Sequence, residues 1–247
     1  MVVVGGRHTF ALDPDTGAWR HLEPSPGVGD FLIATDDGPV FVAYQQHPGR
    51  KPVDWLLDPD TGQWSALPRD PFGESYDRSM AWDGQRLWLL SMAVENHGAA
   101  YEGAPSRLAV LENGRWRVVE EETPPVTYEQ DLWWHGERLV VAVGERLGSS
   151  RAYDPATGTW AALPSREDVT CQPPAAGPGP DWLSGGGGEL VSAALDDTRP
   201  LPPCPALRRR SARPDLAVWA GETLFVWGSD FEDKSTTGLV WTPPPPG

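Results

Sequence analysis

Cysteine is scarce in this chain of 247 residues: Cys171 and Cys204 stand alone. They have no C-x-x-C spacing and no accompanying histidine cluster, which excludes a structural zinc site and leaves open whether they form one disulfide. No run approaches the roughly 18 consecutive apolar residues of a membrane-spanning helix. The opening MVVVGGRHTF lacks the basic region and the apolar stretch of a secretory leader, so as written the chain reads as soluble and cytoplasmic. If a segment precedes Met1, an extracytoplasmic home is equally open. Basic side chains are also few, 20 against 35 acidic ones, and the net charge of −15 repels phosphate backbones and anionic lipid. Nucleic acid is therefore not an expected partner. Eighteen of the 20 basic residues are Arg, a usage that resembles GC-rich bacterial coding.

What the chain has in abundance is Trp, Gly and Pro, at 13, 27 and 27 residues. This composition describes short strands and tight turns, because Gly and Pro punctuate while Trp favours a pleated surface. The phrase LDPDTGAW at 12–19 returns as LDPDTGQW at 57–64 and as YDPATGTW at 153–160. Each copy has Gly two residues before Trp and Leu three residues after it: Gly17, Trp19, Leu22; Gly62, Trp64, Leu67; Gly158, Trp160, Leu163. The phrase predicts strand, turn, strand, with Asp accepting backbone N–H groups, Pro presetting φ and Gly taking a positive φ. A fourth copy, LAVLENGRWRVV at 108–119, replaces that turn with Asn113-Gly114, a two-residue type I′ signal, and keeps Trp116.

A second phrase interleaves with the first: Trp82-Asp83-Gly84 with Leu87, Trp134-His135-Gly136 with Leu139, and Trp219-Ala220-Gly221 with Leu224. Weaker copies hold Gly38 with Phe41 and Gly187 with Leu190. Apolar flanks make each a hairpin, so two hairpins give four strands per repeat. First-phrase glycines recur at 45, 52 and 44 residues, and second-phrase glycines at 46, 52, 51 and 34. A period near 50 built from four strands is a propeller signature.

The two phrases resemble the kelch-repeat family, in its divergent bacterial form. The resemblance implies a single all-β domain over 1–247, a propeller of about six, or else five, four-stranded blades incomplete at both termini. Its repeats fall at approximately 1–24, 25–70, 75–120, 126–166, a degenerate 176–213, and 214–247. The paired glycines that the family places after the second strand survive intact only as Gly5-Gly6, with partial versions at Gly144 and Gly228. VVVGG and LFVWGS read as copies of the same strand, which predicts either a clipped gene product or an irregular ring closure. The Trp after each first-phrase turn is expected between neighbouring blades. Asp13, Asp15, Asp58, Asp60 and Asp154 are expected to serve turns rather than calcium.

In such propellers the connections from second to third strands gather on one face with those from fourth to first, and ligand sites lie there. Here the first set comprises 44–52, 91–107, 144–151 and 228–237; the second includes 69–78 and 120–130. The candidate ligand-binding residues are His47, Arg50, Glu95, His97, Tyr101, Glu145, Arg146, Arg151, Asp230 and Glu232. No catalytic residue, cofactor or metal is assigned. Asp131 and His135 match part of the iron-ligand motif of plant nitrile-specifier proteins, but Thr127 stands where its Glu belongs and His135 occupies a turn slot. Copper radical oxidase chemistry lacks a Tyr near either Cys. Arg208-Arg209-Arg210 with Arg213 reads as a solvated linker. The expectation is a monomeric, non-enzymatic module that binds a protein or glycan; the alternative is a carbohydrate isomerase, epimerase or lyase with an acid/base site over the channel.

Overall fold

A computed structural model of the chain describes residues 2–5, 8–13, 15–26, 31–43, 54–93, 105–125, 131–135, 137–142, 151–162, 182–184, 189–192, 198–200, 216–220, 223–227 and 238–242. Every regular element among them is a β-strand. No helix among the described residues is long and apolar enough to cross a membrane. The chain divides into two compact units, Met1–Pro125 and Val126–Gly247.

The first unit holds three antiparallel sheets. The first contains β1 (Val2–Gly5), β2 (His8–Leu12) and β3 (Trp19–His21); the second β4 (Phe31–Thr35), β5 (Gly38–Val42), β6 (Trp55–Leu57) and β7 (Trp64–Ala66). The third contains β8 (Ser75–Trp82), β9 (Leu87–Ala93), β10 (Ser106–Glu112) and β11 (Arg115–Glu120). In the second unit, β12 (Asp131–His135), β13 (Arg138–Ala142), β14 (Arg151–Asp154) and β15 (Thr159–Ala162) form a four-stranded sheet. Two three-stranded sheets follow: β16 (Trp182–Ser184), β17 (Glu189–Ser192) and β18 (Thr198–Pro200), then β19 (Leu216–Ala220), β20 (Thr223–Trp227) and β21 (Gly238–Trp241). Strand order in each sheet follows chain order, so each is a meander of hairpins. In the first sheet β1 holds the place that β5 holds in the second. Among the described strands, the stretch expected to be degenerate carries three.

The turns obey local chemistry. Asp13, Asp58 and Asp154 each accept, on Oδ1, the amides two and three residues ahead: Asp15 and Thr16 at 2.9 and 3.4 Å, Asp60 and Thr61 at 2.8 and 3.2 Å, Ala156 and Thr157 at 2.8 and 3.4 Å. Gly17, Gly62 and Gly158 close these turns at φ of 69, 76 and 69°. The Asp13, Asp58 and Asp154 carboxylates thus serve the turns, while Asp15 and Asp60 enter these bonds through their backbone amides. Asn113 and Gly114 both have positive φ, 51 and 73°, as a type I′ hairpin requires.

The first-phrase Trp ties one repeat to the one before it. Trp64 Nε1 donates to the Glu23 carbonyl at 3.3 Å and Trp116 Nε1 to the Pro68 carbonyl at 2.8 Å. Glu23 and Pro68 each lie four residues after the Trp of their own repeat, so one rule generates both bonds. Arg20 reaches the other way and donates to the carbonyls of Pro59 and Asp60. Trp19, expected in a packed interface, is instead 57% exposed, with its ring edge-on to Phe10. Trp64 and Trp116, each bonded to another repeat's exit segment, are half-buried instead.

Alternation of period two builds the core between the second and third sheets. Val40 and Val42 of β5 pack with Met80, Leu87, Leu89 and Ala109, and Phe72 closes the layer. Strand β9 is buried along its whole length, which suits its run of Leu, Trp and Met.

Candidate functional site

Meander topology gives each sheet two unlike ends. One carries the tight turns after first and third strands; the other carries the longer connections from second to third strand and from one sheet to the next. Most of the candidate residues fall on these connections: 44–53 lies between β5 and β6, 94–105 between β9 and β10, 143–150 between β13 and β14, and 228–237 between β20 and β21. His47, Arg50, Glu95, His97, Tyr101, Glu145, Arg146, Asp230 and Glu232 lie outside the described residues. Arg151 alone is described. It is the first residue of β14 rather than part of the connection, paired with Val141 and Ala162 and half-buried, and its Nε is buried without a hydrogen bond.

The β5–β6 and β7–β8 connections meet at Arg78, a residue that no sequence motif singles out. In β8, Tyr76 pairs with Met92 and Ser79 with Leu90, so Asp77 and Arg78 together face the single Ser91 of β9. This two-against-one arrangement is a β-bulge, and its first residue, Asp77, has φ of 48° while buried. A bulge re-aims the side chain that follows it. Here that side chain is Arg78, with no solvent exposure.

The Arg78 guanidinium forms a fork on Asp54, with Nη1 donating to Oδ1 at 2.9 Å and Nη2 to Oδ2 at 2.8 Å. Nη2 also donates to Asp70 Oδ2 at 3.0 Å, and Nη1 to the Ala43 carbonyl at 2.6 Å. Both carboxylates are secured again by backbone: Asp54 Oδ1 accepts the Ala43 amide at 3.0 Å, and Asp70 Oδ1 the Phe72 amide at 2.9 Å. Burial works to lower the Arg78 pKa, but Asp54 and then Asp70 outweigh it and raise it above the ordinary guanidinium value. The group therefore stays charged. It cannot touch a ligand, because it has no exposed surface. Its chemistry is positional.

Comparison between repeats locates the signal that sequence reading passed over. The carbonyls of Thr9, Asp54 and Ser106 accept amides from the exit segments of their own repeats, namely Leu22, Leu67 and Thr123, at 2.9, 2.9 and 2.7 Å. These three residues occupy one repeat position, and all are buried. Two carry hydroxyls and one a carboxylate. A buried carboxylate requires a cation, and the Arg six residues before Gly84 supplies it where the copy before Gly38 has Leu32.

His135 is the buried last residue of β12, paired with Arg138, rather than a turn residue. Asp131 begins the same strand, so four residues of strand rise set their backbones about 13 Å apart. One ion cannot be shared across that span. Among the described residues, no group of three or more His, Cys, Asp or Glu can hold a metal. Comparison with models of known protein families and with curated proteins finds no match.

Proposed function

We propose that this chain is a kelch-like propeller of six repeats that presents the connection end of its sheets to a protein or glycan partner. The observation that carries this reading is the asymmetry between sheet ends. Short Asp and Gly turns close one end chiefly by bonds within the turn, whereas the other end bears the long connections, of which 44–53 is braced at its base by the buried Arg78–Asp54 pair and the half-buried Asp70. A fixed base lowers the ordering cost that a loop-borne site meets on binding. The candidate residues on those connections supply His, Arg, Glu and Tyr, side chains suited to sugar hydroxyls and to peptide groups. The acidic net charge leaves nucleic acid outside the expected partners.

The test is to apply the full chain to a printed glycan array and to a displayed peptide library, then to repeat any positive interaction with Glu95→Ala, His97→Ala and Arg151→Ala. Loss of binding in these variants, with unchanged binding in Gln63→Ala and Gln85→Ala at the turn end, supports the reading. Loss confined to the turn-end pair overturns it, and so does the absence of any ligand from both collections. Turnover of a bound sugar abolished by Glu95→Ala or His97→Ala would move the reading to the carbohydrate-active alternative.

A further inference from the structure

We propose that Arg78 is a positioning residue that sets the base of the 44–53 connection and locks it to the next repeat. Two of its partners are the residues that bracket this connection: Ala43, whose carbonyl accepts Nη1, and Asp54, whose carboxylate accepts the whole fork. The Ala43 amide then closes the ring by donating to the same carboxylate at 3.0 Å. Entry and exit of the connection are thus joined through one carboxylate and one guanidinium. The third partner, Asp70, lies in the connection from β7 to β8 and turns its other oxygen to the Phe72 amide. Phe72 in turn packs in the core and carries Arg107 over its ring, with the guanidinium carbon 4.7 Å from the centroid.

The geometry of β8 is shaped for this task. Without the extra residue of the bulge, strand alternation would place position 78 in simple register with β9; the bulge breaks that register only between Tyr76 and Ser79. The strand regains regular pairing from Ser79 to Trp82. A positive φ at a buried non-glycine residue is a local cost that persists where the surroundings require it. Here the return is a guanidinium delivered to the base of the neighbouring repeat's connection. Four hydrogen bonds from two nitrogens reach three separate backbone segments, so the arrangement fixes positions rather than one pair distance.

The purpose assigned to this clip, holding a binding connection in place, rests on the proposed function; the clip itself does not, and the experiment reads it without a ligand. Limited trypsin digestion of the folded full chain reports cleavage at Arg50–Lys51, inside the connection, and at Arg115, at the turn end of β10 and β11. Native-state cleavage follows the population of locally open forms. In Asp54→Asn and Arg78→Met, cleavage at Arg50–Lys51 is expected to rise about tenfold while cleavage at Arg115 changes less than about twofold. Asp54→Glu, which keeps the carboxylate, is expected to stay closer to the parent than Asp54→Asn. Should Arg78→Met fail to fold, the Asp54 pair carries the test alone. A parallel rise at both sites would reduce Arg78 to a general stabiliser and overturn the proposal, as would unchanged cleavage in Asp54→Asn. If the clip is found and no ligand is, the functional reading fails and the clip stands.

Discussion

At the turn end of the sheets Asp13 and Asp58 are exposed and Asp154 partly so, each carboxylate held by amides two and three residues ahead. At the connection end Asp54 is buried and Asp70 half-buried, and both are held by a guanidinium 24 and 8 residues away in sequence. The same residue type thus closes a turn in one place and joins repeats in the other. Water decides how much each matters. An exposed carboxylate freed from its turn is rehydrated at little cost, whereas a buried one deprived of its cation keeps the full desolvation penalty.

Removal of Arg78 is expected to cost the fold most. Arg78→Met leaves the buried Asp54 carboxylate without its cation and is expected to lower stability by about 3–5 kcal/mol, read from urea denaturation midpoints. Adding Asp54→Leu to it should recover much of the loss, since the penalty lies in the buried charge left without its cation rather than in a missing attraction. Next comes Gly38, at φ 128° with its Cα against the Leu57 carbonyl, where an added Cβ would meet that oxygen. Gly38→Ala is expected to cost upwards of about 2 kcal/mol, whereas Gly17→Ala, at φ 69° with open space around it, should cost about 1 kcal/mol.

The tryptophans differ by less. Trp116→Phe removes the indole bond to the Pro68 carbonyl and should cost about 1 kcal/mol, while Trp19→Phe, at an exposed site, should stay within about 0.5 kcal/mol of the parent. Smallest is the acid response of the turns. The Thr16 and Thr61 hydroxyls, then backbone amides, hold the Asp13 and Asp58 carboxyls below the ordinary value, and the Ala156 amide leads for Asp154. Folded values that lie below unfolded ones give stabilisation complete above the unfolded pKa, about 3.9, and lost as pH falls through the folded value. Denaturation midpoints should therefore be insensitive to these groups from pH 7 down to about pH 5 and should fall below about pH 4, less steeply in Asp58→Asn.

Legibility in the sequence followed the range of the interactions. The turns were readable because every bond that makes them is written within six residues: Asp, a positive-φ Gly, then Trp. Their recurrence led to the hairpins, the four-strand unit and the all-β architecture. The Trp bonds to Glu23 and Pro68 follow a repeat rule but need two copies laid over one another, and Trp19 shows that the same letter in the same phrase need not be covered. Arg78 was harder. Its partners are distant in sequence, its bulge leaves no motif, and its strand, SYDRSMAW, reads as ordinary polar and apolar residues. The clue was comparative: a carboxylate at Asp54 where other copies hold Thr9 and Ser106. Arg151, expected in a connection, begins a strand because its backbone finds partners in Val141 and Ala162 on both sides.

Amide hydrogen exchange in the parent chain and in Asp54→Asn tests the central difference between sheet ends most directly. The Ala43 and Phe72 amides, bonded to the Asp54 and Asp70 carboxylates, are expected to exchange only through large openings in the parent, and Ala43 to lose this protection in Asp54→Asn. The turn amides of Asp60 and Thr61 should exchange fast in both. Equal exchange at Ala43 in the two proteins, or turn amides as slow as those of the connection end, would contradict that difference.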